Sequence, residues 1–386
     1  GNQLDKFGLS LSIRYQQLFA ENPPELPEDS YHGEDILDLA KEYAKEHGDE
    51  LMHVTEEERR KALVGFGLPK NIAKMKADME KYRVHYDRWF LESDLHKDGE
   101  VMAVVDYLRD RGLTYEKDGA VWYKATEFGG EKDEVLVRAN GNPTYFTADI
   151  AYHKNKFDRG FDLLIDIWGS DHHGHVARMK GAMDAIGLHG EDLDVVLMQM
   201  VNLMRDGQPV RMSKRTGNAI TLTDLLEEVP IDSARFLFNM HDAGSGIDFD
   251  LDQAVKTDND NPVYYVQYAH ARICSILKKM ESEGVQFAGA EKVDATLLTE
   301  PSEMDLIRML AAFPQEIVMA AEKYDPSRIN RFVIDLASAF HRFYGNCRIQ
   351  GADPAVQQAR LALCIGVKNV IFNVLTMFKI NVPEKM

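Results

Sequence analysis

The sequence predicts an α/β fold with an open parallel sheet, preceded by charged surface helices and followed by an all-α helical bundle. Between about residues 136 and 250, short apolar runs alternate with turns and helical segments, which is the order of strand, loop and helix in a parallel sheet. From about residue 260 onward, apolar residues recur at helical spacing almost throughout. We therefore divide the chain at about 1–135, 136–255 and 256–386.

The first region is rich in Glu, Lys and Asp and carries interrupted amphipathic patterns. Two of these, Ile36 to Tyr43 and Ile72 to Tyr82, predict helices that lie on a surface. With 386 residues and 45% hydrophobic content, the whole chain can bury two or three cores. We therefore expect two or three domains.

The middle region contains two apolar runs of strand length. Leu163 to Trp168 predicts a strand, and a helical pattern from Val176 to Ile186 follows it. The second run, Val195 to Met204, ends at Asp206-Gly207, a dipeptide that is typical of a short hairpin. The two runs and their turns predict successive strands of one sheet.

The third region reads as a bundle of helices with an internal loop at Gly284 to Gly289. Val263, Val266, Ile273 and Leu277 keep helical spacing. A wider apolar stripe follows later in the region at Ile329, Phe332, Val333, Leu336, Ala337, Phe340 and Phe343.

The charge of the chain is acidic and unevenly spread. A formal net charge of −18 argues against indiscriminate nucleic-acid binding, which needs a cationic face. Residues 261–386, however, carry 14 Lys and Arg against 13 Asp and Glu, so the negative excess lies upstream. We expect an RNA backbone, if one binds, to contact the C-terminal third.

The cysteines and the apolar segments limit the compartment. Cys274, Cys347 and Cys364 form no Cys-x-x-Cys pair, which excludes a zinc knuckle or a disulfide framework and fits a reducing cytoplasm. No uninterrupted run of about 18 apolar residues is present, and the start of the chain lacks a signal-peptide pattern. We expect a cytoplasmic protein that does not span a membrane.

The octet from Arg211 to Asn218 places two cations and a hydroxyl on a glycine-bounded loop. Lys214 and Arg215 would supply positive charge and Ser213 a short hydrogen bond, as a departing polyphosphate requires. The alternative is a solvated basic surface loop. The full octet is much rarer than a Lys-Arg pair, which favours nucleotide chemistry.

A polar cluster follows the predicted strand that ends at Trp168. Ligands collect beyond the carboxyl ends of strands in open α/β sheets. Asp171, His172, His173 and His175 could hold zinc or manganese, or the histidines could cap the following helix. In the third interpretation, Gly169 allows close approach of a nucleotide while Asp171 and His172 contact a small ligand. Position favours the third interpretation.

A second polar pair lies upstream, within the segment Pro143 to His153. If the segment is helical, Tyr145 and Asp149 are four residues apart and share a face. A carboxylate with two acceptor oxygens and an aromatic ring together suit a guanidinium group. The alternative is a core tyrosine beside a solvated aspartate.

The octet resembles the Lys-Met-Ser-Lys-Ser loop of class I aminoacyl-tRNA synthetases, with Arg211 in place of the first lysine. The whole chain, from Gly1 to Met386, resembles the bacterial type of arginyl-tRNA synthetase. The blocks that carry this resemblance are Tyr86 to Ser93, Pro143 to His153, Gly169 to Gly174, Arg211 to Gly217, Asn261 to Arg272, Leu336 to Tyr344 and Val382 to Met386.

The resemblance implies a partial Rossmann-type nucleotide-binding domain with a helical insertion, followed by an all-α anticodon-binding bundle. Residues 1–135 would form the connective or insertion region with part of the catalytic domain. Residues 136–255 would form the second half of the catalytic domain with its signature loop, and residues 256–386 the anticodon-binding domain.

The resemblance also implies roles for individual residues. Lys214 would stabilise the pyrophosphate leaving group, with Ser213 and Arg215 beside it as further catalytic residues. The binding residues would be Tyr145, Asp149 and Asp171 for arginine, Gly169, His172, Met212 and Lys214 for ATP, and Tyr264, Tyr268, Arg272 and Met386 for tRNA.

The activity that the resemblance implies is ATP-dependent attachment of L-arginine to arginine tRNA by a monomer. ATP would enter with Mg²⁺ as a substrate complex, without a fixed protein-bound metal. The sequence contains no His-Ile-Gly-His element, and Gly1-Asn2-Gln3 resembles the family shortly after that element. We therefore expect a truncated chain with impaired activity. The alternatives are an inert tRNA-binding fragment and a metal-dependent phosphoesterase that uses Asp171, His172 and His173.

Overall fold

The computed structural model describes residues 2–210 and 220–386. Within that part of the chain, two compact units are present: residues 2–85 with 220–228, and residues 86–210 with 229–386. The helices are α1 Asn2–Phe19, α2 Glu34–His47, α3 Glu56–Lys81, α4 Glu92–Lys97, α5 Glu100–Asp110, α6 Tyr145–Asp158, α7 His173–Ala185, α8 Leu222–Glu228, α9 Ile231–Phe238, α10 Leu251–Ala254, α11 Pro262–Ser282, α12 Pro301–Lys323, α13 Ser327–Asn346 and α14 Pro354–Met377. The strands are β1 Thr114–Lys117, β2 Ala120–Tyr123, β3 Glu134–Val137, β4 Leu164–Gly169, β5 Leu193–Met198, β6 Val201–Arg205, β7 Gln208–Pro209 and β8 Ile247–Asp250.

The first unit is helical, with its own small core. Leu11 and Tyr15 of α1 and Leu63 of α3 are almost completely buried there, together with one face of α2. Helix α3 begins with a capping box in which Thr55 and Glu58 satisfy each other's backbone amides. The predicted segment Ile36 to Tyr43 lies within α2, and Ile72 to Tyr82 forms the end of α3 with Tyr82 as its C-cap. These helices do more than cover a surface, because they pack on one another.

The second unit begins with strands that the sequence analysis missed. Strands β1, β2 and β3 form an antiparallel sheet where only helices were expected before residue 135. Each strand has four residues, too few for a clear period of two, and Thr114–Lys117 is largely polar. Their burial comes from packing on later helices, which includes a hydrogen bond from the Tyr123 hydroxyl to the Gly181 carbonyl oxygen at 3.2 Å.

The predicted strand, helix and parallel pairing of the middle region are confirmed. Strand β4 pairs in parallel with β5, in a register that places Leu164 opposite Leu193. In the sequence, helix α6 precedes β4 and helix α7 follows it. The carboxyl end of β4 therefore lies next to the beginning of α7, as in a nucleotide-binding α/β fold.

The run Val195 to Met204 is split between two sheets, contrary to the prediction of one strand. Strand β5 ends at Met198, and β6 joins a separate sheet in which it pairs with β7 and in parallel with β8. The predicted hairpin after β6 is confirmed. Asp206 and Gly207 both have positive φ, 49° and 69°, as a two-residue turn of this kind requires.

The third region is a helical bundle, as predicted. Helices α11 to α14 share one core, to which the α13 stripe contributes the completely buried Val333, Leu336, Phe340 and Phe343. Helix α14 has the length and hydropathy of a membrane span, but much of it is buried in the bundle core, a pattern that core helices also show. The segment Gly284 to Gly289 is a connection without regular structure.

Replacing Phe340 by Ala is expected to destabilise the bundle by about 3–5 kcal/mol, because a fully buried ring leaves a cavity that the packed helices cannot fill. Urea unfolding followed by circular dichroism measures the effect. Phe372→Ala on α14 is the matched control, since that ring is 49% exposed and should cost much less. Equal losses for the two variants would contradict this assignment of the core.

Candidate active site and tRNA-binding surface

A cavity of about 890 Å³ opens in the second unit beside the carboxyl end of β4. Its lining comes from α6, β4 and the start of α7, with Tyr86 ahead of α4. Of the predicted site residues, the cavity brings together Tyr145, Asp149, Gly169 and His172. Two sets of residues that the sequence analysis treated separately therefore share one site.

Helix α6 presents the predicted tyrosine and aspartate to this cavity. Its first turn is attached to β3, because the hydroxyls of Thr144 and Thr147 donate to the carbonyl oxygens of Val135 and Leu136, both at 2.7 Å. Tyr145 remains 53% exposed, which excludes the alternative of a core tyrosine. The Asp149 side chain is 45% exposed, so part of its carboxylate is open to the cavity.

Asp149 has a histidine partner that the sequence analysis did not assign to it. Nε2 of His175 lies 3.3 Å from Asp149 Oδ2, and Nδ1 of the same ring lies 2.5 Å from Arg178 Nε. Arg178 in turn donates to Glu134 Oε1 at 2.8 Å. From the sequence alone, His175 is a candidate helix cap or metal ligand. The spacing of three residues between His175 and Arg178 is the sequence feature that indicates their contact on one face of α7.

The wall of the cavity contains a second carboxylate, Asp166 of β4, whose two oxygens are both engaged. His153 Nε2 lies 2.5 Å from Oδ2, and Lys156 Nζ lies 2.7 Å from Oδ1. Burial opposes ionisation of this carboxyl, but the hydrogen bonds and charges of His153 and Lys156 outweigh it and lower the pKa from 3.8 to about 2. Asp166 is thus an ionised but neutralised group.

The end of β4 places Gly169 and His172 in the cavity, whereas Asp171 is a neighbour of His172 outside the lining. Asp171 Oδ2 lies 3.8 Å from His172 Nε2, and both side chains are largely exposed. A Cβ atom at Gly169 would meet the Asp171 carboxylate at 2.5 Å, so a larger residue would not fit without rearrangement. His172 occupies the N-cap position of α7, but its side chain makes no capping hydrogen bond to the helix.

Met212, Ser213, Lys214 and Arg215 lie outside the described residues. Across residues 2–210 and 220–386, no group of three His, Cys, Asp or Glu side chains is placed to hold a metal ion.

A second cavity, of about 520 Å³, lies on the helical bundle. It brings together the predicted Tyr264, Tyr268 and Arg272 with His341 of α13, which the sequence analysis did not single out. The Arg272 guanidinium lies 4.7 Å from the Tyr268 ring centroid and donates to its hydroxyl at 2.7 Å. Burial and the adjacent Arg272 lower the pKa of His341 from 6.5 to about 4.

Met386 is not part of the bundle cavity. The C-terminal segment instead packs on α11, where His270 Nδ1 lies 2.9 Å from the Pro383 carbonyl oxygen and Lys278 pairs with Glu384 at 2.8 Å. Met386 itself is 45% exposed. The structure therefore joins three of the four predicted tRNA-binding residues.

Two family models match this chain. The catalytic domain described as "tRNA synthetases class I (R)" matches residues 70–257, and the "DALR anticodon binding domain" matches residues 266–386. A parallel α/β unit with a cavity at its strand ends, followed by this helical bundle, thus defines a class I aminoacyl-tRNA synthetase.

Relatives narrow the class further. The chain is 57% identical to the arginine–tRNA ligase of Caldanaerobacter subterraneus subsp. tengcongensis and 53% identical to that of Ruminiclostridium cellulolyticum. Both alignments include 100% of this chain and 69% of the relative. A solved Campylobacter jejuni structure assigned as an arginyl-tRNA synthetase aligns with a TM-score of 0.88 at 31% identity, over 100% of this chain and 83% of that one. The chain belongs to the arginyl-tRNA synthetase family, and the predicted fold class and enzyme class are confirmed. The inert-fragment and phosphoesterase alternatives are not favoured.

The Asp166 carboxylate should make the free energy of unfolding of the chain depend on pH. Its pKa of about 2 lies below the ordinary 3.8, so its contribution of about 2 kcal/mol is complete above about pH 4 and is lost as the pH falls toward 2. Urea unfolding at pH 5 and pH 2 should therefore show a larger loss for the parent chain than for Asp166→Asn. Asp162→Asn removes an exposed carboxylate and should behave like the parent. Parallel losses in the parent and Asp166→Asn would refute the effect.

Proposed function

We propose that the β4 cavity binds L-arginine, with its guanidinium held between Tyr145 and Asp149. The observation that carries this proposal is the exposure of both side chains on one face of α6, inside a cavity large enough for an amino acid and part of a nucleotide. A carboxylate can accept two parallel hydrogen bonds from a guanidinium, and the phenol ring offers it a flat aromatic face.

The charges around the cavity favour Asp149 as the anion that meets the substrate. Asp166 already pairs with His153 and Lys156, and Glu134 pairs with Arg178. The His175 contact to Asp149 involves one oxygen, Oδ2, at 3.3 Å from Nε2, which leaves the other carboxylate oxygen for a ligand. A cationic side chain entering the cavity would therefore be attracted most strongly to Asp149.

ATP is proposed to lie at the carboxyl end of β4, near Gly169 and His172, with Asp171 at the rim toward the arginine. The arginine carboxylate oxygen would attack the α-phosphorus in line and pyrophosphate would leave. The arginyl group would then pass to a hydroxyl of the terminal adenosine of tRNA with release of AMP. Positioning and charge neutralisation carry such chemistry. Magnesium would enter with ATP as the substrate complex.

The signature loop supplies the remaining proposed catalytic groups. We propose that Lys214 stabilises the departing pyrophosphate and that Ser213 and Arg215 contact its neighbouring oxygens. Met212 is proposed to contact ATP. The resemblance of the octet to the class I signature supports these roles.

The bundle is proposed to bind the anticodon arm of arginine tRNA through Tyr264, Tyr268 and Arg272, with Met386 as a further contact. Aromatic rings beside a guanidinium suit stacked bases and a phosphate. The family matches, over residues 70–257 and 266–386, support a catalytic region that ends near residue 255 and an anticodon-binding domain after it. Residues 1–135 are proposed as the connective or insertion region with part of the catalytic domain. We place the enzyme in the cytoplasm as a monomer.

Asp149→Asn should weaken L-arginine binding roughly 10- to 100-fold, because a charged hydrogen-bond pair of about 1.5–3 kcal/mol becomes a neutral one. Isothermal titration of the chain with L-arginine measures this. Asp158→Asn at the other end of α6 removes an exposed carboxylate that pairs with Lys154, and should bind like the parent. Unchanged binding in Asp149→Asn would place the guanidinium elsewhere.

Arg272→Ala should weaken binding of arginine tRNA and lower the slope of log K against log salt by about 0.7–0.9, the loss of one phosphate contact. Fluorescence titrations across a salt series, with a non-cognate tRNA in parallel, measure both quantities. Arg308→Ala is the matched control, because Arg308 lies on α12 with 71% of its side chain exposed. An identical salt slope in Arg272→Ala and the parent would contradict a phosphate contact there.

A further inference from the structure

We propose that His175 is a positioning residue that orients the Asp149 carboxylate toward the substrate, and that Arg178 fixes the tautomer in which it does so. This inference rests on the proposed arginine site at Asp149. It adds a series of four side chains, Glu134, Arg178, His175 and Asp149, that runs from β3 through α7 to α6.

The protonation pattern of His175 follows from its two contacts. Arg178 Nε carries a hydrogen and can only donate, so His175 Nδ1, at 2.5 Å, must be the acceptor. A neutral ring whose Nδ1 accepts carries its hydrogen on Nε2. That nitrogen is the one that lies 3.3 Å from Asp149 Oδ2. The geometry thus places the Nε2–H of a neutral His175 ring beside the carboxylate, with 3.3 Å between Nε2 and Oδ2.

The ring has little freedom to leave this orientation. Its side chain is only 12% exposed. Phe146 lies edge-on to it, with ring centroids 5.7 Å apart, and Trp168 lies on another side at 5.2 Å. Arg178 is itself fixed by its hydrogen bond to Glu134 at 2.8 Å and lies 5.6 Å from the Phe146 ring centroid. The ring and its partner at Nδ1, Arg178, are therefore each held by further contacts.

A neutral donor suits this position better than a cation. In the same cavity, Asp166 is neutralised by Lys156 and His153, so it attracts a charged ligand only weakly. A neutral imidazole fixes one oxygen of Asp149 without cancelling its charge. The other oxygen, and the full negative charge, remain for a guanidinium that needs a carboxylate in a defined plane.

The first test compares L-arginine affinity among variants by isothermal titration. His175→Ala should weaken binding at least 10-fold, because Asp149 loses the donor that orients it. His175→Gln should restore affinity to within about 3-fold of the parent, because its amide can place an N–H near the Nε2 position. His189→Gln, at an exposed histidine beyond the end of α7, should bind like the parent.

The second test reads the tautomer directly and needs no substrate. Nitrogen-15 NMR of histidine-labelled chain should show His175, identified by its loss in His175→Gln, as a neutral ring with hydrogen on Nε2. Arg178→Met should remove that signature, because Nδ1 is then free to take a proton. A ring with hydrogen on Nδ1 in the parent would overturn the inference.

The outcomes separate this inference from the site on which it rests. If Asp149→Asn leaves arginine binding intact, the proposed arginine site fails. If Asp149→Asn weakens binding but His175→Ala does not, or if His175→Gln binds no better than His175→Ala, only the positioning role fails. Weakening in His175→Ala with rescue in His175→Gln and the Nε2 tautomer in the parent supports it.

Discussion

The carboxylate of Asp166 is the constraint on which the candidate site depends. It lies in β4, and it holds two residues of α6 that are three positions apart, His153 at 2.5 Å and Lys156 at 2.7 Å. Two fixed points on one helix determine its rotation about its own axis. The rotation that brings His153 and Lys156 to β4 also turns Tyr145 and Asp149 toward the cavity. Because the ion pairs are largely buried, removing one partner would leave an uncompensated charge, which is far more costly than the loss of an exposed pair.

A spacing of four residues on one helix is enough to predict part of each site. Tyr145 with Asp149, and Tyr268 with Arg272, are pairs four residues apart on one helix, so helical geometry alone places them together. Both pairs line the cavities as expected. The contact between His175 and Asp149 joins residues from two helices, and no spacing in the sequence reports such a contact. The sequence therefore predicts what one helix places together, and the fold determines which other helix completes the site.

The missed strands have a related cause. Strands β1 to β3 are only four residues long, and the register between β2 and β3 shifts between Val121 and Trp122. Four residues are too few to distinguish a strand from a turn of helix, even in the apolar β2, so the assignment depends on partners that are distant in sequence. The split of the apolar run after Met198 is similar. Within Val195 to Met204 the break falls at the single polar residue Gln199, which is no stronger a signal than Asn202 inside β6, and the two halves join different sheets.

The two cavities each leave one formal charge unneutralised, and the charges are opposite in sign. Asp149 faces an imidazole whose contact with Arg178 requires it to be neutral. Arg272 lies against the Tyr268 ring and against His341, whose pKa of about 4 keeps it neutral near pH 7. Among the described residues, no carboxylate forms an ion pair with Arg272. A chain with a net charge of −18 can thus present a local cation for RNA on its bundle and a local anion for a guanidinium beside its sheet. In the proposed function, recognition of arginine and of tRNA rests on these two individual charges, and the total charge of the chain does not decide it.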